Sequence, residues 1–144
     1  MVQKTKNVAT NYIIIEMNMS KLLKIMLVDD QKMANFINKK LIEVTQFADK
    51  IIDYTAPAVA LSAVEEEQPD LIFLDLNMPE INGWSFLDAL KEKNNATQVV
   101  IVTSSTSDLD KEKAQNYNQV IDFLIKPLSK NTILDLKNKL RPAC

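Results

Sequence analysis

Leu71 to Gly83 reads LIFLDLNMPEING: four large apolar residues, an aspartate, then a polar segment broken by Pro79 and Gly83. A short apolar run closed by turn residues is what a strand buried on both faces looks like, since neither face has to meet water. Asp75, directly after it, therefore stands at the carboxyl end of a central strand. The same arrangement recurs outward in both directions. Ile25–Val28 runs into Asp29 and Asp30, Val99–Val102 into Thr103, and Ile121–Ile125 into Lys126, while Ile51–Tyr54 adds one more β-branched run.

Longer amphipathic segments separate these runs, and strands alternating with helices predict a parallel sheet. Met33, Phe36, Ile37, Leu41 and Ile42 recur at the spacing of one helix face. Val59, Leu61, Ala63 and Val64 do so less cleanly, Phe86, Leu87 and Leu90 clearly, and Ile133, Leu134, Leu136 and Leu140 mark a last helix. Ser107 with Asp110 three residues on resembles a capping box, and Ser129 after Pro127 is placed to cap the final helix. Right-handed crossovers then put helices on both faces, giving a doubly wound three-layer α/β sandwich. No internal repeat, low-complexity tract or interdomain linker interrupts it.

The 144 residues fit one domain, because single cores are commonly built from about 100 to 150 residues. Apolar residues at 47% and charged residues at 25% are an ordinary globular balance, able to bury a core. A net charge of −2 offers no global field for gripping nucleic acid. The one cysteine, Cys144, can build neither an internal disulfide nor a zinc site, which suits a reducing, cytoplasmic setting. Histidine is absent, so Ser-His-Asp chemistry and histidine-ligated metals are excluded for this chain. Its apolar runs fall far short of the roughly 20 residues that span a bilayer. Residues 1–20 lack the features of a signal peptide and read as an N-terminal extension to a domain over 21–144, with Met17 or Met19 as alternative initiators.

Open sheets of this kind bind ligands beyond the carboxyl ends of their strands. Asp29, Asp30, Asp75, Thr103 and Lys126 all converge there. Three carboxylates held together repel one another unless a cation or a raised pKa relieves them. Oxygen ligands without histidine or cysteine suit Mg2+ (or Mn2+), a hard ion that shares its sites with phosphate. An aspartate can also attack phosphorus if fixed cations neutralise the transferring oxygens, and Lys126 and the Thr103 hydroxyl are placed to assist Asp75. Any one of these aspartates reads equally well as a cap or turn residue. All five groups on one rim do not.

Lys24–Asp30 (KIMLVDD), Leu71–Gly83 (LIFLDLNMPEING), Val99–Ser104 (VVIVTS) and Phe123–Pro127 (FLIKP) stand in the order and spacing of the response-regulator receiver family, which residues 22–140 resemble. The resemblance implies a flavodoxin-like fold with strand order 2-1-3-4-5. It implies Asp75 as phosphoacceptor, Asp30 as a direct Mg2+ ligand, Asp29 as one acting partly through water, and Asn77 as a backbone carbonyl ligand. Thr103 becomes the switch hydroxyl, Ser104 the small neighbour on the phosphate side that keeps the site open, and Lys126 the phosphate-pairing lysine before a cis Pro127. Phe123 alone reads as an ordinary core aromatic. Three residues before Lys126, it matches the switch aromatic that turns inward with the threonine. Asn118 stands near a glycine of relatives and is expected to stop the fourth helix. Pro79 and Gly83 shape the acceptor loop, while Met78 and Trp84 read as packing.

The function so implied is a phosphorylation-activated switch of a two-component system, not an enzyme in its own right. A partner histidine kinase or histidine phosphotransfer protein is the donor. The signal is expected to leave through contact with a downstream protein, a phosphorylation-dependent homodimer or onward phosphotransfer, since no output domain follows Leu140. An aspartate-nucleophile phosphatase needs a second aspartate two residues after the first as general acid, and Asn77 cannot serve. A phosphorylation-independent scaffold would be expected to have lost an acidic or lysine member. A flavoprotein of similar topology would need a glycine-rich or hydroxyl-rich phosphate loop after the first strand.

Overall fold

A computed structural model describes residues 23–140; the expected extension over 1–20 and Cys144 lie outside them. The elements run β1 (Lys24–Val28), α1 (Lys32–Val44), β2 (Lys50–Tyr54), α2 (Pro57–Glu67), β3 (Leu71–Leu74), α3 (Gly83–Glu92), β4 (Gln98–Thr103), α4 (Asp108–Ala114), β5 (Val120–Ile125) and α5 (Lys130–Leu140). All strand pairs are parallel, in the order β2-β1-β3-β4-β5, which is the order expected.

Strand side chains alternate between two separate cores, as the two-residue period of a strand requires. Met26, Val28, Ile72, Leu74, Val99 and Ile101 pack with α2, α3 and α4 through Val64, Phe86, Leu87, Leu90 and Ala114. Ile25, Leu27, Leu71, Phe73, Val100 and Val102 pack on the other face with α1 and α5 through Ile42, Ile133 and Leu136. Because each central strand feeds both cores, it has no polar side, and the near-continuous apolar runs follow from that.

Helix α1 departs from expectation. Its apolar residues Met33, Phe36 and Ile37 face solvent, at 67%, 56% and 49% exposure, while Asn35, Asn38 and Ile42 point inward. In α2, likewise, Val59 is exposed and Pro57, Ala60 and Val64 are buried. The stripe in α3 lies where its spacing places it, with Phe86, Leu87 and Leu90 fully buried.

Ser129 caps α5 through a 3.1 Å bond that its Oγ accepts from the Thr132 N–H. Replacing it with alanine should cost about 1 kcal/mol, measurable by urea denaturation. Ser107 does stand at the start of α4, but its side chain makes no cap bond; Asp110 accepts instead from Ser105 Oγ at 2.6 Å. Asn118 does not stop α4. That helix ends at Ala114 in tightened turns, where the N–H groups of Gln115, Asn116 and Tyr117 reach back to Glu112, Lys113 and Ala114 carbonyls. Left-handed backbone occurs instead at Gln46, Gln68, Glu80 and Asn94, none of them glycine.

Candidate functional site

Order in the sheet reverses between β1 and β3, which lie side by side while their connections leave in opposite directions. A crevice opens at such a point. Each residue just past a strand is pinned to its neighbour: the Asp29 N–H donates to Tyr54 O at 3.2 Å, the Asp75 N–H to Val28 O at 3.0 Å, and the Lys126 N–H to Thr103 O at 2.8 Å. Strand pairing thus extends one step onto the rim, so the side chains there inherit the rigidity of the sheet.

The carboxylates of Asp29, Asp30 and Asp75 gather within 4.8 Å of one another. Asp29 and Asp75 are buried, and Thr103 is fully so. Lys126 Nζ donates to Asp29 Oδ2 at 2.6 Å and lies 3.6 Å from Asp75 Oδ1, so its charge sits nearer Asp29 than Asp75. Burial pushes the Asp75 carboxyl above its ordinary pKa, and the Asp29 charge pushes the same way; Lys126 and a bond from the Asn77 N–H oppose them. A crowded, partly desolvated anion with one lysine between two carboxylates is short of positive charge. A divalent cation fits that deficit and the all-oxygen donor set, with Asp29, Asp30 and Asp75 available to hold it.

The single glycine explains why the loop after Asp75 can close on α3. A Cβ at Gly83 would stand 2.7 Å from the Asp75 carbonyl oxygen and 2.8 Å from Leu76 Cα, too near for any side chain. The Gly83 N–H donates to Leu76 O at 2.9 Å, and Asn82 Oδ1 caps the helix by accepting from the Ser85 N–H. Met78 is buried in the core, and Trp84 stacks on Tyr117 with Lys113 over its ring. Both are packing residues, as expected.

On the β4 side, Thr103 Oγ1 accepts from the Ser105 N–H at 3.2 Å, and Ser105 Oγ accepts from the Ser107 N–H as it donates to Asp110. Ser104 is exposed at the rim. Thr103 lies two residues beyond Ile101 and so shares its sheet face, and Phe123 pairs with Ile101 and packs into the same core. Lys126–Pro127 is a cis peptide, as the resemblance implied. The structure therefore brings Asp29, Asp30, Asp75, Thr103 and Lys126 to one rim, with Ser104 beside them and Phe123 deeper. Sequence reasoning missed Ser105 and Asn35 and paired Asp110 with Ser107; the side chains of Ser105, Asp110 and Asn35 fasten the loops behind the rim.

A family model described as "Response regulator receiver domain" matches residues 25–138. The chain belongs to that family. Transcriptional regulatory protein MalR of Bacillus subtilis is 34% identical over 107 residues, covering 74% of this chain and 45% of MalR. An uncharacterized response regulatory protein of Vibrio cholerae is 28% identical over 114 residues, covering 78% of this chain and 42% of the relative. The receiver thus spans less than half the length of these curated relatives. Among solved structures, a two component response regulator from Cytophaga hutchinsonii superposes with a TM-score of 0.74 at 31% identity, over 83% of this chain and 97% of that one. The chemotaxis protein CheY4 of Vibrio cholerae shares the fold, with a TM-score of 0.71 at 20% identity over 81% and 97% of the two chains. Receiver domains are phosphorylation-activated signalling switches that interact with histidine kinases or phosphotransfer proteins. Among the described residues no helix is long and apolar enough to cross a membrane.

Proposed function

We propose that Asp75 is the phosphoacceptor of this receiver, with Asp29, Asp30 and the Asn77 carbonyl as ligands of a divalent cation and Thr103 and Lys126 as phosphoryl contacts. The observation that carries this is the cluster of three carboxylates within 4.8 Å beside Lys126, all fixed at strand ends. An Asp75 carboxylate oxygen attacks phosphorus, the bond from phosphorus to the donor nitrogen breaks, and the departing imidazole keeps that electron pair and takes up a proton. A bound divalent cation supplies charge neutralisation at the phosphoryl oxygens. Lys126 moves its bond from Asp29 toward the phosphoryl group, and Thr103 gives up the Ser105 N–H to donate there. Phe123, on the same sheet face, follows into the space so opened. Ser104, exposed and small, leaves the approach clear.

Exposed Met33, Phe36 and Ile37 begin three residues after Asp30 and offer an apolar seat beside the rim for the donor protein. The domain runs over 21–144, the chain carries no activity beyond its own phosphorylation and dephosphorylation, and its setting is cytoplasmic. Its output passes to a downstream protein through contact, phosphorylation-dependent pairing or onward phosphotransfer. Intact-mass analysis after incubation with acetyl phosphate tests this reading: one phosphoryl group should appear with Mg2+ and not with EDTA. Steady phosphate release without an adduct would instead mark a phosphatase.

Lys126→Ala should separate uptake from response. Phosphoryl uptake should be slowed on the order of 100-fold, the worth of one electrostatic contact, but not abolished. Amide exchange over residues 103–123, however, should no longer change on phosphorylation. An unaltered response in that variant would remove Lys126 from the switch.

A further inference from the structure

Asn35 occupies the second turn of α1 with its side chain 1% exposed. Asparagine is a mediocre helix former, and an amide taken out of water is costly unless it finds partners. Asn35 Nδ2 finds two, donating to the carbonyl oxygens of Asp29 and Tyr54, each at 3.1 Å. Both carbonyls lie at the carboxyl ends of neighbouring strands, that of Asp29 one step past β1. Asn35 Oδ1 is enclosed without a partner. The amide cannot be turned over to relieve it, because its oxygen would then face two carbonyls.

An amide satisfied at one end and orphaned at the other is a poor device for stability, since an apolar side chain of similar shape would avoid the unpaired acceptor. It is a good device for holding a backbone. The Asp29 N–H is held by Tyr54 O at 3.2 Å, its Oδ1 accepts from the Gln31 N–H at 2.9 Å, and Asn35 secures the remaining group, the carbonyl that leads into Asp30. We propose that Asn35 is a positioning residue that sets the spacing of the Asp29 and Asp30 carboxylates for a divalent cation. The inference rests on the metal-site reading proposed above. Outer partners of this kind orient ligands without touching the ion.

The test compares wild type with Asn35→Leu, which keeps the branched shape and the same number of heavy atoms, and Asn35→Ala, which leaves space and introduces no clash. Mg2+ affinity is measured by calorimetric titration, and thermal unfolding is followed in EDTA. Asn35→Leu should bind Mg2+ about 10- to 100-fold more weakly, while its metal-free unfolding stays cooperative and its unfolding temperature falls by no more than a few degrees, because the Asp29 carbonyl loses its partner as the orphaned amide oxygen disappears. Affinity within about 2-fold of wild type would overturn the inference, as would a loss that only parallels lower metal-free stability. If Asn35→Leu does not unfold cooperatively, Asn35→Ala decides by the same two readings. Failure of wild type itself to bind Mg2+ overturns the site reading and this inference together, whereas normal wild-type binding with unaffected variants overturns this one alone.

Discussion

Asp75→Asn should take up no phosphoryl group from acetyl phosphate, and in EDTA at neutral pH it should unfold a few degrees above wild type. The first result follows because an amide oxygen lacks the charge and basicity to attack phosphorus. The second follows from electrostatics that an ordinary loop aspartate would not have. Burial, then the Asp29 charge, raise the Asp75 pKa in the folded state. A raised folded-state pKa means that stability contributed by protonated Asp75 is complete below the unfolded value of about 3.9 and is lost as pH rises through the folded value. Wild type at neutral pH therefore carries an ionised group the fold disfavours. Asparagine keeps the shape without the charge, so the gain, on the order of 1 kcal/mol, should shrink below about pH 4. Saturating Mg2+ should narrow or reverse the difference, since wild type has the additional ligand. Differential scanning calorimetry across pH, with and without Mg2+, measures all of this; a mutant less stable than wild type in EDTA would refute the account of a crowded anion.

Gly83→Ala should be the most damaging single-methyl change near the site. The added carbon meets the Asp75 carbonyl at 2.7 Å and Leu76 Cα at 2.8 Å. Neither is the end of a flexible side chain, so either α3 must withdraw or the Asp75–Leu76 backbone must shift. Overpacking of this sort costs about 1 to 3 kcal/mol. The functional loss should be larger than the instability suggests, because displacement of a reacting group by about 1 Å can cost on the order of 100-fold in rate. Urea denaturation and the initial rate of phosphorylation, taken on one preparation, separate the two effects. Wild-type rate in a destabilised Gly83→Ala protein would show that the clash is absorbed by α3 and never reaches Asp75.

The sheet was legible because a strand buried on both faces has nowhere to put a polar residue, so LIFL and VVIV announce themselves. Asp29, Asp75, Thr103 and Lys126 were legible for a related reason: each is the first polar residue after such a run, and Asp30 follows Asp29 directly. Helix α1 was misread at its most informative positions. Counting apolar residues selects Met33, Phe36 and Ile37, yet the inward face carries Asn35, whose compensation comes from carbonyls 6 and 19 residues away in sequence. No local pattern can reveal a buried amide's distant partners. The Ser107 and Asp110 spacing likewise suggested a capping box, but Ser105, two residues earlier, is the better donor for the Asp110 carboxylate. Asn118 was expected to stop α4 by analogy with a glycine of relatives, whereas tightened turns had already ended that helix at Ala114.

The corners at Gln46, Gln68, Glu80 and Asn94 bend through a region that side chains resist, in a chain whose single glycine is committed to the turn from Asp75 into α3. Each such corner works against the fold by roughly 1 to 2 kcal/mol. Glycine would relieve that strain but give the unfolded chain more freedom in return. The protein thus holds an untapped margin of thermal robustness, spread over corners such as Gln46 and Gln68 that lie outside the Asp29, Asp30 and Asp75 cluster.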